Sequence, residues 1–207
     1  MTSEVVTTSG RFEVAPHSCF ACGELNAVGL RLVLHVQGDT CWTETTLASD
    51  FQGWEGITHG GIIATILDEV MGWALASADS WGYTARLTIE YRRPAPIGRR
   101  VRAEGHLVER RRRLLTTRAR LVDAETGKLL ATADALYVAA PPDRKQALKD
   151  RYRFRLVRDG DTPSEAPQEM PPGRAATSGP DEPLRGPAEP SEALPCPRAR
   201  PFRLPAP

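Results

Sequence analysis

The run from Thr58 to Ser77 constrains this chain more than any other feature. It has the length of a helix and carries Ile62, Ile63, Ile66, Leu67, Val70, Met71, Trp73 and Leu75, with Gly60, Gly61, Ala64, Gly72, Ala74 and Ala76 between them. Apolar residues surround it instead of forming one stripe, the pattern of a helix enclosed on most sides. Its surroundings read as strands. Leu30 to Gln37 and Thr40 to Leu47 flank Gly38-Asp39, a pair favoured in the turns of antiparallel hairpins. Ala85, Leu87, Ile89 and Tyr91 alternate with Arg86, Thr88, Glu90 and Arg92, as in a strand with one buried face. Val101 to Glu109, Leu114 to Val122 and Leu129 to Val138 continue the pattern, with a turn at Glu125-Thr126-Gly127 and a break at Pro94 and Pro96. One early helix followed by consecutive strands predicts an α+β domain, its antiparallel sheet wrapped around that helix.

Composition sets the limits of this domain. The chain has 207 residues, and fifteen of its eighteen prolines fall between Pro141 and Pro207, where only nine residues are Leu, Ile, Val, Phe or Met. So little apolar surface does not offset the entropy of ordering, and 159–207 is expected to be a disordered, Pro-rich tail, inert or a docking segment for a protein partner. Residues 1–18 read as an N-terminal extension, 19–140 as the folded domain and 141–158 as a short basic extension, either helix or strand. A formal charge of +1 gives no bulk attraction to nucleic acid or anionic membrane. With neither a spanning apolar run nor a leader pattern, the expected location is cytoplasmic. Thirteen of the fifteen basic residues in the first 140 lie between Arg86 and Lys128, against five acidic ones. That field favours an anionic ligand, although solvated outer strand faces would produce the same excess.

The chemistry concentrates in Gly53-Trp54-Glu55-Gly56-Ile57-Thr58-His59-Gly60-Gly61, which leads into the helix carrying Asp68 and Glu69. Two glycines at a helix start expose unpaired backbone N–H groups at the positive end of the dipole, where they can polarise a carbonyl and hold an oxyanion. A carboxylate inside an apolar helix is costly unless it is hydrogen-bonded or used. Asp68 and Glu69 point about 100° apart, so at most one faces the buried side. The other reading has both lining a solvated groove or forming salt bridges.

His59-Gly60-Gly61 with an acid nine residues after the histidine, a strand ending Tyr91-Arg92-Arg93-Pro94, and the opening Cys19-Phe20-Ala21-Cys22-Gly23 with Gly29-Leu30 together resemble the PaaI-type acyl-CoA thioesterases of the hotdog fold. The resemblance spans about Cys19 to Val138. It implies a five- or six-stranded antiparallel sheet around one helix, paired as a homodimer or a dimer-of-dimers tetramer with sites between subunits. It also implies hydrolysis of acyl-CoA or arylacyl-CoA. Asp68 would be nucleophile or general base, the Gly60 N–H the polariser with His59 beside it, and Thr84 the hydroxyl that helps place water. Gly61 would add to the binding surface. Some relatives carry an amide side chain upstream of the histidine. Gly53 stands at that place here, and the adjacent Gln52 would take the amide's role, the two contributing to substrate binding. Arg92, Arg93 and the Arg110 to Arg113 run, Arg111 included, would meet the phosphates of coenzyme A.

Thioester cleavage requires an activated nucleophile and a carbonyl-polarising donor, so neither a metal nor another cofactor is implied. His17-Ser18-Cys19-Phe20-Ala21-Cys22 contains a Cys-x-x-Cys half-site but no second half elsewhere in the sequence, and the cysteines read as small packed residues. His35 and His106 fall within strand patterns, and Trp42, Trp54, Trp73 and Trp81 suit either a pocket or a core. Two alternatives stay open: a non-catalytic acyl-CoA-binding module and an enoyl-CoA hydratase.

Overall fold

A computed structural model describes residues 9–37, 39–77, 79–153 and 155–158. Along the chain run β1 (Ser9–Glu13), β2 (His35–Gln37), β3 (Thr40–Thr46), a short 3-10 turn at Ser49–Phe51, α1 (Gly60–Ser77), β4 (Gly82–Tyr91), β5 (Arg100–Arg111), β6 (Leu114–Asp123), β7 (Leu129–Ala139), α2 (Pro142–Tyr152) and β8 (Arg155–Arg158). All strand pairings are antiparallel and form one sheet in the order β4-β7-β6-β5-β3-β2-β1-β8. This is the expected α+β hotdog arrangement, a sheet curled around α1. The expected disordered tail lies outside the described residues.

Helix and sheet meet through one face of α1. Ile66, Leu67, Val70, Met71, Ala74 and Leu75 are essentially inaccessible, and they cluster with Val101, Ala103, Leu115, Leu121, Ala131 and Ala133 of β5, β6 and β7. Each large side chain so buried stabilises the fold by about 1.5–3 kcal/mol. The approach is closest at Gly105 in β5, where an added Cβ would lie 2.8 Å from the Val70 carbonyl carbon and 2.9 Å from the Met71 nitrogen. Backbone thus packs on backbone, and only glycine fits.

Several elements depart from the sequence pattern for identifiable reasons. Strand β2 starts at His35 rather than Leu30, because the Leu30 and Leu32 N–H groups donate to the carbonyls of Phe20 and Ala21 instead of a neighbouring strand. Enclosure of α1 is one-sided: Ile62, Ala64, Thr65, Asp68, Gly72 and Trp73 stay half-exposed. The face of β4 expected to be buried is only half-covered at Leu87 and Ile89, and Tyr91 is 52% exposed. Sheet residues also lie beyond 19–140. The 141–158 stretch forms both a helix and a strand, and β8 and β2 pair with opposite edges of β1. Lys145 and Lys149 of α2 hold the Asp79 carboxylate after α1 and keep it below the usual range. No described helix is long and apolar enough to cross a membrane.

The basic excess lies largely on outer strand faces. Arg102 and Arg120 flank Glu104, Arg118 pairs with Asp134, and Arg102 also stacks 3.8 Å over the Trp42 ring.

Gly105→Ala is expected to destabilise the protein by roughly 1–3 kcal/mol, since neither backbone segment yields cheaply. Urea unfolding monitored by circular dichroism measures this; an unchanged midpoint would refute the close packing.

Candidate active site

Asp68 leaves α1 toward β4 and β7, where Thr84 and Tyr137 are direct cross-strand partners. Paired residues project on the same face, so their hydroxyls reach one carboxylate. Thr84 Oγ1 donates to Asp68 Oδ1 at 2.9 Å and Tyr137 Oη to the same oxygen at 2.7 Å. The register of β4 against β7 shifts immediately after Thr84, leaving Ala85 unpaired in a local bulge. Such bulges re-aim neighbouring side chains. Burial, and then the charge of Asp68, push the Tyr137 phenol upward, so it remains a protonated donor. Among the described residues Asp68 Oδ2 takes no hydrogen bond and no cation pairs with the carboxylate.

The helix start forms a second cluster. An open groove of about 390 Å³ is lined by Gly53, Trp54, Thr58, His59 and Gly60. His59 Nδ1 accepts the Gly61 N–H at 3.0 Å, capping the helix with a ring nitrogen, while the Gly60 N–H has no partner among the described residues. Tyr91 Oη donates to the Gly60 carbonyl at 2.8 Å and fixes that peptide from below. Gly53 lies against the same wall: an added Cβ would be 3.0 Å from His59 Cα. A side chain at this position would therefore press on the histidine, which would have to give by a few tenths of an ångström. Gln52 is committed elsewhere, its Oε1 accepting the Gly56 N–H at 2.8 Å, and it does not line the groove.

The arginines separate into two groups. Arg92 and Arg93 follow directly on Tyr91 at the groove end of the sheet, the former paired with Glu90 and the latter donating to the Leu129 carbonyl. Arg111 pairs with Glu109 and lies beside Arg110, which donates to Ser80 beyond the far end of α1. An 18-residue helix, about 27 Å long, separates the two groups.

Sequence reasoning missed two site residues. Tyr137 is 2% exposed and reads in sequence as one more apolar position of an alternating strand; only the fold brings it opposite Asp68. Thr58, 4% exposed, has an Oγ1 without a partner among the described residues and lines the groove. Its place immediately before His-Gly-Gly was the available signal.

Residues 55–130 match the model of the Thioesterase superfamily. Acyl-coenzyme A thioesterase THEM4 of Mus musculus is 33% identical over 95 residues, 45% of this chain and 40% of that protein. The same-named protein of Xenopus laevis is 30% identical over 91 residues, 44% and 41% respectively. The chain thus spans about two fifths of the length of these curated relatives. A crystal structure of a thioesterase superfamily protein is 30% identical, covers 58% of this chain and 59% of its own, and superposes with a TM-score of 0.56. The E. coli PaaI protein, 15% identical over 54% of this chain and 81% of its own with a TM-score of 0.51, shares the fold.

Tyr137→Phe removes one of two donors to Asp68 and is expected to cost about 1 kcal/mol of stability without altering the fold. Denaturant titration reads this; a variant as stable as the parent would mean the phenol does not hold the carboxylate.

Proposed function

The described part of this chain is a hotdog-fold domain of the thioesterase superfamily, and on that premise we propose that it hydrolyses acyl-CoA or arylacyl-CoA thioesters to free acid and CoA. The observation that carries the reading is the Asp68 carboxylate, held through one oxygen by two hydroxyls with its other oxygen unengaged. A carboxylate so fixed is oriented to take a proton from water. The names of the curated relatives support a CoA thioester as substrate.

In this mechanism the thioester carbonyl sits at the groove and accepts the Gly60 N–H. Water aligned by Thr84 gives its proton to Asp68 Oδ2 as its oxygen bonds to the carbonyl carbon. The resulting oxyanion stays on the Gly60 N–H at the positive end of α1, and its collapse breaks the carbon–sulfur bond and releases the CoA thiolate. Thiolate is a good leaving group, so the step requires no strong acid. His59 shapes the groove and takes up the Gly61 N–H. Thr58 and the exposed Trp54 offer a hydroxyl and an apolar wall to the acyl or pantetheine portion. Arg92 and Arg93 stand at the groove end for the CoA phosphates.

Distance argues for two copies. Gly60 and Asp68 lie eight residues apart on one helix, about 12 Å along its axis, too far to act on a single carbonyl. A site containing both groups therefore combines the Gly60 of one subunit with the Asp68 and Thr84 of another. Strand β4 suits such pairing: it is ten residues long, hydrogen-bonds among the described residues to β7 alone and exposes Tyr83 and Tyr91 at 52% each. A homodimer, or a tetramer built from two of them, follows.

Release of free thiol from a panel of acyl- and arylacyl-CoA esters tests the activity. Asp68→Asn should lower kcat by roughly 10²–10⁴-fold, the usual contribution of a positioned base, with the fold retained. Turnover surviving in that variant removes Asp68 from the chemistry. Binding of every ester without thiol release would make the protein a carrier. Thr84→Val is expected to lower kcat more than it changes KM; an effect confined to KM would place Thr84 outside the reacting centre.

A further inference from the structure

The segment entering β2 brings metal-ligating groups together away from the groove. His17, Cys19 and Cys22 present ligand atoms that all lie within 4.8 Å of one another, with His17 Nε2 3.3 Å from Cys22 Sγ. A tetrahedral zinc centre bounded by sulfur and nitrogen has an S···N edge of about 3.6 Å, so the separation needs little adjustment. The histidine is set for this role. Its Nδ1 lies 3.1 Å from the Ala15 carbonyl, an acceptor only, so Nδ1 carries the proton and Nε2 turns a lone pair toward the sulfurs.

The backbone is built around the two thiols. The Gly23 N–H donates to the Cys19 carbonyl at 3.0 Å and the Leu25 N–H to the His17 carbonyl at 3.1 Å, closing a tight turn. An added Cβ at Gly23 would lie 2.3 Å from the Cys19 nitrogen and 2.5 Å from the His17 oxygen, so the turn requires glycine directly after the second cysteine. A fourth donor, an oxygen, is within reach on α1, outside the cluster itself. The Glu69 carboxylate lies near enough to Cys22 to act on its thiol, and it accepts a hydrogen bond from Trp73 Nε1 at 2.9 Å. Among the described residues no lysine or arginine forms an ion pair with Glu69. Two thiols and an imidazole therefore share one half-buried site, with a carboxyl beside it that no side-chain ammonium or guanidinium pairs among the described residues.

We infer that His17, Cys19 and Cys22 form a structural zinc site, completed by Glu69 on metal binding, that fastens the N-terminal segment to α1. The donor set, two soft sulfurs with one imidazole and one carboxylate, suits zinc over magnesium or calcium. Cys-x-x-Cys lacks a second half in the linear pattern because that half is His17 on the same turn and Glu69 some fifty residues later. Glu69 immediately follows Asp68, so a bound ion also fixes the rotation of α1 where the candidate base leaves it.

The full chain, produced without a tag and purified under reducing conditions, should carry one zinc per chain by elemental analysis. Cobalt(II) added to stripped protein should produce the thiolate-to-metal charge-transfer absorption of a tetrahedral sulfur site. Cys19→Ser and Cys22→Ser should lose both signals, Glu69→Gln should bind cobalt roughly 10–100-fold more weakly, and Cys41→Ala, whose thiol is buried in the core, should keep them. Reduced, folded parent protein that holds no zinc and gives no cobalt charge-transfer band overturns the proposal. Zinc retained by the Cys19 and Cys22 variants, or a Cys19–Cys22 disulfide formed in preference to metal binding, does the same. None of these readouts depends on thioester turnover.

Discussion

Thr84 and Tyr137 face each other across β4 and β7 and donate to the same oxygen of Asp68, and the functional account rests on that contact. It requires α1 to lie against the sheet at a fixed distance and rotation. Gly105 permits the distance by letting helix backbone rest on strand backbone. The ridge of Ile66, Leu67, Val70, Met71 and Leu75 sets the rotation, since turning it from the sheet would expose several large side chains at about 1.5–3 kcal/mol each. Asp68 then falls at the margin of the buried face, where a carboxylate can meet protein donors on one oxygen and water on the other.

The same helix carries the other half of the proposed chemistry at its N-terminus. Rigid helical geometry keeps Gly60 and Asp68 about 12 Å apart, so one copy cannot supply both groups to one carbonyl. The long edge of β4, unpaired among the described residues, and the half-exposed side of α1 are surfaces that a second copy would cover. In this reading catalysis and assembly are one requirement.

Much of this was legible in the sequence. Period-two alternation marked β4 to β7, and an apolar run of helix length marked α1, because both patterns follow from local geometry. His59, Gly60, Gly53 and Trp54 are close in sequence and close in space. What stayed hidden depends on long-range placement. Tyr137 looks like core until β7 is set beside Thr84, and His17 looks isolated until the turn at Gly23 brings it back on Cys22. Strands β1 and β8 are short and far apart in sequence, so their pairing leaves no local periodic trace. The run 30–34 alternates like a strand, yet its N–H groups pair with a nearby loop.

Mixing two inactive variants tests the central claim most directly. Gly60→Pro deletes the polarising N–H at the first helical position, where proline is tolerated, and Asp68→Asn removes the base. Subunit exchange at equal concentrations should restore about one quarter of wild-type turnover, because half of the dimers are then mixed and each of those has one intact site. Two inactive proteins that exchange subunits and regain no activity would contradict a site shared between copies.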